Sequence, residues 1–151
     1  MEKRFIMMAI EEAKKALAMG EVPVGAVIVK NGEIIAKAYN KKEKLCCVTQ
    51  HAEIIAIEKA SKKIGNWRLN DCDIYITLEP CPMCASAIKQ ARISNIYCGL
   101  SNSDKNNINI VKSILDKDKI NNSCNYYCGY FQFEIKNMMK TFFKNARNRN
   151  N

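Results

Sequence analysis

Asn31-Gly32 sits between two runs rich in strand-forming residues, Val24-Gly25-Ala26-Val27-Ile28-Val29-Lys30 and Glu33 to about Tyr39. A two-residue type I′ turn needs positive φ at both central positions, and Asn-Gly supplies it at little steric cost, so the spacing predicts an antiparallel hairpin. This hairpin constrains the fold most because of the segments that come after it in the chain. Helical patterns at about 51–63 and 82–91 alternate with strand patterns at 73–78 and 93–99. Parallel strands need a long crossover, and helices of this length provide one. An antiparallel pair continued by helical crossovers implies an α/β sandwich.

Ahead of the hairpin, residues 2–19 place Phe5, Met8, Ala9, Ala13, Ala16 and Met19 at helical spacing, with Gly20 as a stop. Beyond Leu100 the composition shifts toward Ser, Asn, Asp and Lys. There we expect a loop, a short helix from Ile108 to Leu115, a polar connection to about Asn125, and a short strand from Tyr126 to Phe131. A last helix carries Phe133, Ile135, Met138, Met139, Phe142 and Phe143 on or near one face. Residues 1–144 read as one domain, and 145–151 as a disordered basic tail.

No stretch approaches the roughly 18 uninterrupted apolar residues of a membrane-spanning helix. Met1-Glu2-Lys3-Arg4, a short apolar patch and then Glu11-Glu12 do not suit a secretory signal, so a cytoplasmic location is expected. In that setting the eight cysteines argue for metal binding or burial rather than a disulfide framework. The formal net charge of +9 favours a polyanionic partner, nucleic acid among them.

Two motifs fall where strand ends meet helix starts, the usual place for sites in such sheets. Pro80-Cys81-Pro82-Met83-Cys84 puts a C-x-x-C pair at the start of a helix, where free backbone N–H groups favour a thiolate. His51, the single histidine, opens the preceding helix as His51-Ala52-Glu53. One histidine and two cysteines make three zinc ligands with a fourth tetrahedral position open, the arithmetic of a catalytic rather than a structural site. A fourth ligand from Cys46, Cys47, Cys72, Cys98, Cys124 or Cys128 would close it, and Cys81 with Cys84 alone also fits a redox pair. Glu53, two residues past the histidine, is badly placed as a ligand but well placed to move protons to and from a metal-activated water.

H-x-E followed by P-C-x-x-C is the signature of zinc nucleobase deaminases. Together with Gly20-Glu21-Val22-Pro23-Val24-Gly25-Ala26-Val27, Tyr39-Asn40, His51-Ala52-Glu53-Ile54 and Leu78-Glu79-Pro80-Cys81-Pro82-Met83-Cys84-Ala85, it resembles the bacterial tRNA-specific adenosine deaminases over most of residues 2–100. The resemblance implies a cytidine deaminase-like three-layer αβα sandwich around a five-stranded mixed sheet, usually in a homodimer. It implies hydrolysis of the wobble adenosine in a tRNA anticodon stem-loop to inosine, with zinc on His51, Cys81 and Cys84 and with Glu53 as proton shuttle. Asn40 would hydrogen-bond the purine, and the backbone at Ala52 would line the pocket. An amide suits the first role because it both donates and accepts.

The chain departs from the family at Cys46-Cys47-Val48-Thr49-Gln50, where a small residue normally approaches the zinc histidine. It departs again after Gly99, where counting places Asn102 at the position of an acidic residue expected to contact flanking nucleotides. A deaminase of free guanine, cytosine or cytidine would share the zinc machinery. A zinc-stabilised RNA-binding protein without turnover would have no use for Glu53.

Overall fold

The computed structural model describes residues 1–101, 105–116 and 124–150. Its elements run α1 (Lys3–Ala18), β1 (Gly25–Lys30), β2 (Glu33–Tyr39), α2 (Ala52–Ile64), β3 (Cys72–Leu78), α3 (Pro82–Gln90), β4 (Asn95–Leu100), α4 (Lys105–Leu115), β5 (Asn125–Cys128) and α5 (Gln132–Arg149). The sheet has five strands in the order β2-β1-β3-β4-β5. β1 is antiparallel to both β2 and β3, while β3, β4 and β5 are mutually parallel. The expected α/β sandwich with a mixed sheet is therefore what forms.

The turn chemistry is visible in the backbone: Asn31 and Gly32 have φ of 51° and 76°. The register slips between Ile28 and Val29, so that Ile28 faces Ala36 but Val29 faces Ile34, a bulge that adds local twist to the hairpin.

Strand alternation sorts the core into two layers. Ala26, Ile28, Ile74, Ile76, Ile96 and Cys98 pack toward Ala56 of α2, Ile88 of α3 and Val111 of α4. Val27, Val29 and Tyr75 point the other way, onto Phe5, Ile6 and Ala9 of α1 and Ile135 of α5. On that second face a row of rings crosses the sheet: Phe5 to Tyr75 at 5.1 Å, Tyr75 to Tyr97 at 4.8 Å and Tyr97 to Tyr127 at 5.3 Å between centroids. The three tyrosines are direct cross-strand neighbours, the arrangement that best fills the gap between adjacent strands.

Gly25 shows why the first strand begins where it does. A Cβ there would lie 1.9 Å from the Ala9 carbonyl oxygen, so α1 and β1 meet backbone to backbone. Gly25→Ala should lower the melting temperature, because the helix must retreat from the sheet at a cost of about 1–3 kcal/mol or more. An unchanged melting curve would mean that this contact is slack.

Two expectations at the C-terminal end are corrected. β5 stops at Cys128 instead of reaching Phe131, because Gly129 at φ 117° and Phe131 at φ 56° turn the chain out of the sheet. Residues 145–149, expected to be a disordered tail, continue α5 through Arg149. The apolar stripe persists to the half-buried Ala146, and the Arg149 guanidinium rests on Gly20. Arg147 and Arg149 also place positive charge on the last carbonyls, which favours the final turn. Among the described residues no helix is long and apolar enough to cross a membrane.

Candidate active site

Both motif-bearing segments enter their helices in the same way. His51 is the N-cap of α2 (φ −73°, ψ 154°) and Cys81 the N-cap of α3 (φ −69°, ψ 167°), and neither side chain makes a capping hydrogen bond. Extended backbone at both positions turns the two side chains out of their helices and toward each other. Pro82 takes the first helical position of α3, where a missing N–H costs nothing. Cys84, one turn into α3, then faces back toward Cys81. The Cys81 and Cys84 sulfurs lie 3.7 and 3.5 Å from His51 Nδ1. All three ligand atoms fall within 4.8 Å of one another, a group that could hold a metal ion. Among the described residues, Cys46 and Cys47, the cysteines nearest His51 in sequence, do not join it, nor does any other cysteine.

The electrostatics of the two cysteines differ. The Cys84 thiol donates to Cys81 and, against the opposing effect of burial, holds Cys81 down to about 5. The same hydrogen bond, reinforced by full burial, pushes Cys84 far up. Glu53, in the first turn of α2, is only 3 % exposed. Burial is the main cause that pushes its carboxyl up to about 7, opposed by its own backbone N–H. Its Oε2 has no hydrogen-bond partner, and no other buried side-chain oxygen or nitrogen among the described residues shares that condition. A buried polar atom without a partner costs roughly 1–3 kcal/mol, so this one is held for something other than stability.

A cavity of about 240 Å³ opens onto this group, lined by Val22, Val24, Asn40, Lys42, His51, Ala52, Glu53, Leu78, Glu79 and Cys81. Asn40 is buried and held from two sides: Nδ2 donates to the Val22 carbonyl at 3.2 Å, and Oδ1 accepts from the Lys42 N–H at 3.1 Å. The amide is therefore fixed in one orientation, with one further N–H and one further lone pair for a bound base edge. Ala52 sits at the first position of α2, where helical N–H groups have no intrahelical acceptor.

The chain is matched over residues 1–147 by the family model of MafB19-like deaminases. The chain belongs to this deaminase family. The deaminase is 39 % identical over 145 residues to the tRNA-specific adenosine deaminase of Streptococcus pyogenes serotype M1, covering 96 % of this chain and 85 % of the relative. A solved structure of a tRNA:A34 deaminase, concerned with A-to-I editing at the wobble position, superposes with a TM-score of 0.80 at 34 % identity, covering 91 % of this chain and 99 % of that one. A guanine deaminase from Bacillus subtilis superposes with a TM-score of 0.66 at 31 % identity, covering 98 % and 94 %.

The fold thus brings His51, Ala52, Glu53, Asn40, Cys81 and Cys84 around one point. Asn102 lies outside the described residues. Sequence reasoning carried Glu79 only as part of the run at 78–85 and gave it no role. Its carboxylate is buried in the cavity wall, where Oε1 accepts from the Tyr126 hydroxyl at 3.1 Å. Nothing local marks that contact, because the tyrosine arrives from β5, 47 residues along the chain.

Proposed function

We propose that this deaminase converts the wobble adenosine of a tRNA anticodon loop to inosine, with zinc held by His51, Cys81 and Cys84. The observation that carries the reading is the partnerless Glu53 Oε2, buried beside the His-Cys-Cys group in the cavity wall. The donor set suits zinc. Bonds of about 2.3 Å to sulfur and about 2.0 Å to nitrogen at a tetrahedral angle put nitrogen and sulfur roughly 3.5 Å apart. The separations in this structure are 3.7 and 3.5 Å. When bound, zinc supplies Lewis-acid activation of the attacking water.

The rest of the work falls to the chain. Glu53 takes a proton from the attacking water on Oε2 and gives it to the purine ring nitrogen beside C6; it then takes the second proton from the new C6 hydroxyl and delivers it to the departing amine. A carboxyl pushed up to about 7 exchanges protons readily near neutral pH. The remaining N–H and lone pair of Asn40 hold the purine edge, and the Ala52 backbone closes the side of the pocket. The balance of +9 supports contact with loop phosphates. Two copies of the chain forming a homodimer complete the proposal, and sedimentation of the purified protein tests that part.

Inosine formation in tRNA transcripts carrying adenosine at the wobble position tests the substrate, with free guanine as the control. Inosine confined to that position supports the reading. Guanine turnover without inosine would transfer the machinery to the rival substrate, which the likeness to the Bacillus subtilis guanine deaminase keeps in view. Asn40→Ala should raise KM by about 10-fold or more, since a fixed bidentate amide loses both of its contacts to the base. Steady-state rates against transcript concentration check this, and an unchanged KM would remove Asn40 from base recognition.

A further inference from the structure

β4 and β5 carry a second pair of cysteines that the chemistry above does not use. Cys98 and Cys128 are direct partners in the parallel ladder. Both belong to the sheet face packed against α2, α3 and α4. Cys98 is fully buried; Cys128 is half-buried and ends its strand just before Gly129. Adjacent strands run roughly 4.8 Å apart, inside the range of Cα separations that a disulfide spans. Among the described residues no other cysteine is so placed: Cys72 faces Lys30 across its ladder, and Cys46 and Cys47 lie in the loop before α2.

The two thiols are unequal in a useful way. The Cys98 Sγ–H donates to the Leu100 carbonyl at 3.4 Å and that of Cys128 to the Gly99 carbonyl at 3.6 Å. Cys98 is also within hydrogen-bonding reach of Cys128, a contact that outweighs burial and holds Cys128 down to about 7. Burial above all pushes Cys98 up. A half-buried thiol poised to ionise, backed by a fully buried one, is the pairing in which one sulfur is oxidised and the other resolves it.

The pair also touches the catalytic cavity. Tyr126, on the same strand face, reaches both thiols and donates its hydroxyl to Glu79 in the cavity wall. We propose that Cys98 and Cys128 form a reversible disulfide when the protein meets a hydroperoxide, and that the bond lowers deamination by disturbing the Tyr126–Glu79 contact. The Cys128 thiolate attacks a peroxide oxygen; the O–O bond breaks, leaving a sulfenic acid on Cys128 and, from hydrogen peroxide, a hydroxide. The Cys98 sulfur then attacks the sulfenic sulfur. An S–S bond forms, the S–O bond breaks, and the Cys98 proton ends on the released hydroxide as water. The two sulfurs lose two electrons in total and the peroxide gains them. Turning the sulfurs toward each other withdraws the thiol donors from the two carbonyls and the sulfur acceptors from the Tyr126 hydroxyl.

The test treats the metal-loaded full chain with stoichiometric hydrogen peroxide, then maps peptides by mass spectrometry without reduction. The expected result is a Cys98–Cys128 linkage, unchanged metal content, and a several-fold fall in deamination that dithiothreitol reverses. C128S should keep the parental rate and be indifferent to peroxide. Both thiols remaining open to alkylation after treatment would overturn the proposal. So would a linkage that leaves the rate unchanged, or an equal loss of rate in C128S. The effect on rate rests on the deaminase reading, but the linkage is mapped without substrate, so the two failures are distinguishable.

Discussion

Glu53→Gln is expected to reduce the rate of the chemical step by about 10²–10⁴-fold, while metal content and melting temperature stay at parental values. The amide has nearly the carboxylate's volume and fits the same buried place in the first turn of α2, so packing is preserved. It cannot accept the proton that the attacking water must lose, and it cannot pass one to the leaving amine. Among the described residues of the cavity no second group stands ready: Asn40 is pinned by Val22 and Lys42, and Glu79 is engaged by Tyr126. Single-turnover ammonia release on metal-loaded protein is the deciding measurement, because it separates chemistry from product release. A variant that keeps more than about a tenth of the parental rate would fall far short of the loss expected for a general acid–base and would take the proton-shuttle role away from Glu53.

Cys84→Ala should cost more still, by a different route. It leaves His51 and Cys81 as the only members of the group, and two ligands do not define a tetrahedral site. Metal affinity should fall by well over the ~10–100-fold typical of losing an outer-sphere partner, and activity should drop to background. The melting temperature should fall as well, because a metal bound only by the folded state stabilises that state. Metal content after dialysis, read beside thermal melts with and without chelator, checks both consequences. If the parent melts identically with and without chelator, the metal contributes nothing to folding and the expected loss of stability has no basis.

How much of the molecule is legible in its sequence depends on the range of the interactions. Asn31-Gly32 announces the hairpin because turn chemistry is local, and both residues take the positive φ that the dipeptide implies. His51, Glu53, Cys81 and Cys84 are legible because a metal group demands particular side chains at helix starts. The bulge opposite Ile28 and Val29 carries no sequence mark, since it answers to the packing of both sheet faces at once. The end of α5 is misread for a related reason. Residues 145–149 look like a tail in isolation, and only the approach of Gly20, with room for the Arg149 guanidinium, makes continued helix the better state. Resemblance picks out Asn40 for its contact with the base, whereas the two backbone partners that fix its amide come from the fold. Glu79 needs Tyr126, and Tyr126 needs β5 laid beside β4, which no local pattern specifies.

His51 and Cys81 occupy positions where a serine, threonine or aspartate would normally secure the first turn of a helix, a contribution of about 1 kcal/mol at each. Two neighbouring helices therefore start without their usual fastening, and both starts converge on one ligand group. Fraying of these first turns and metal occupancy become a single equilibrium seen from two ends. Amide exchange at Ala52–Ile55 and Met83–Ala85 would slow together as metal is added, making backbone protection a direct gauge of how much of the protein is ready to react.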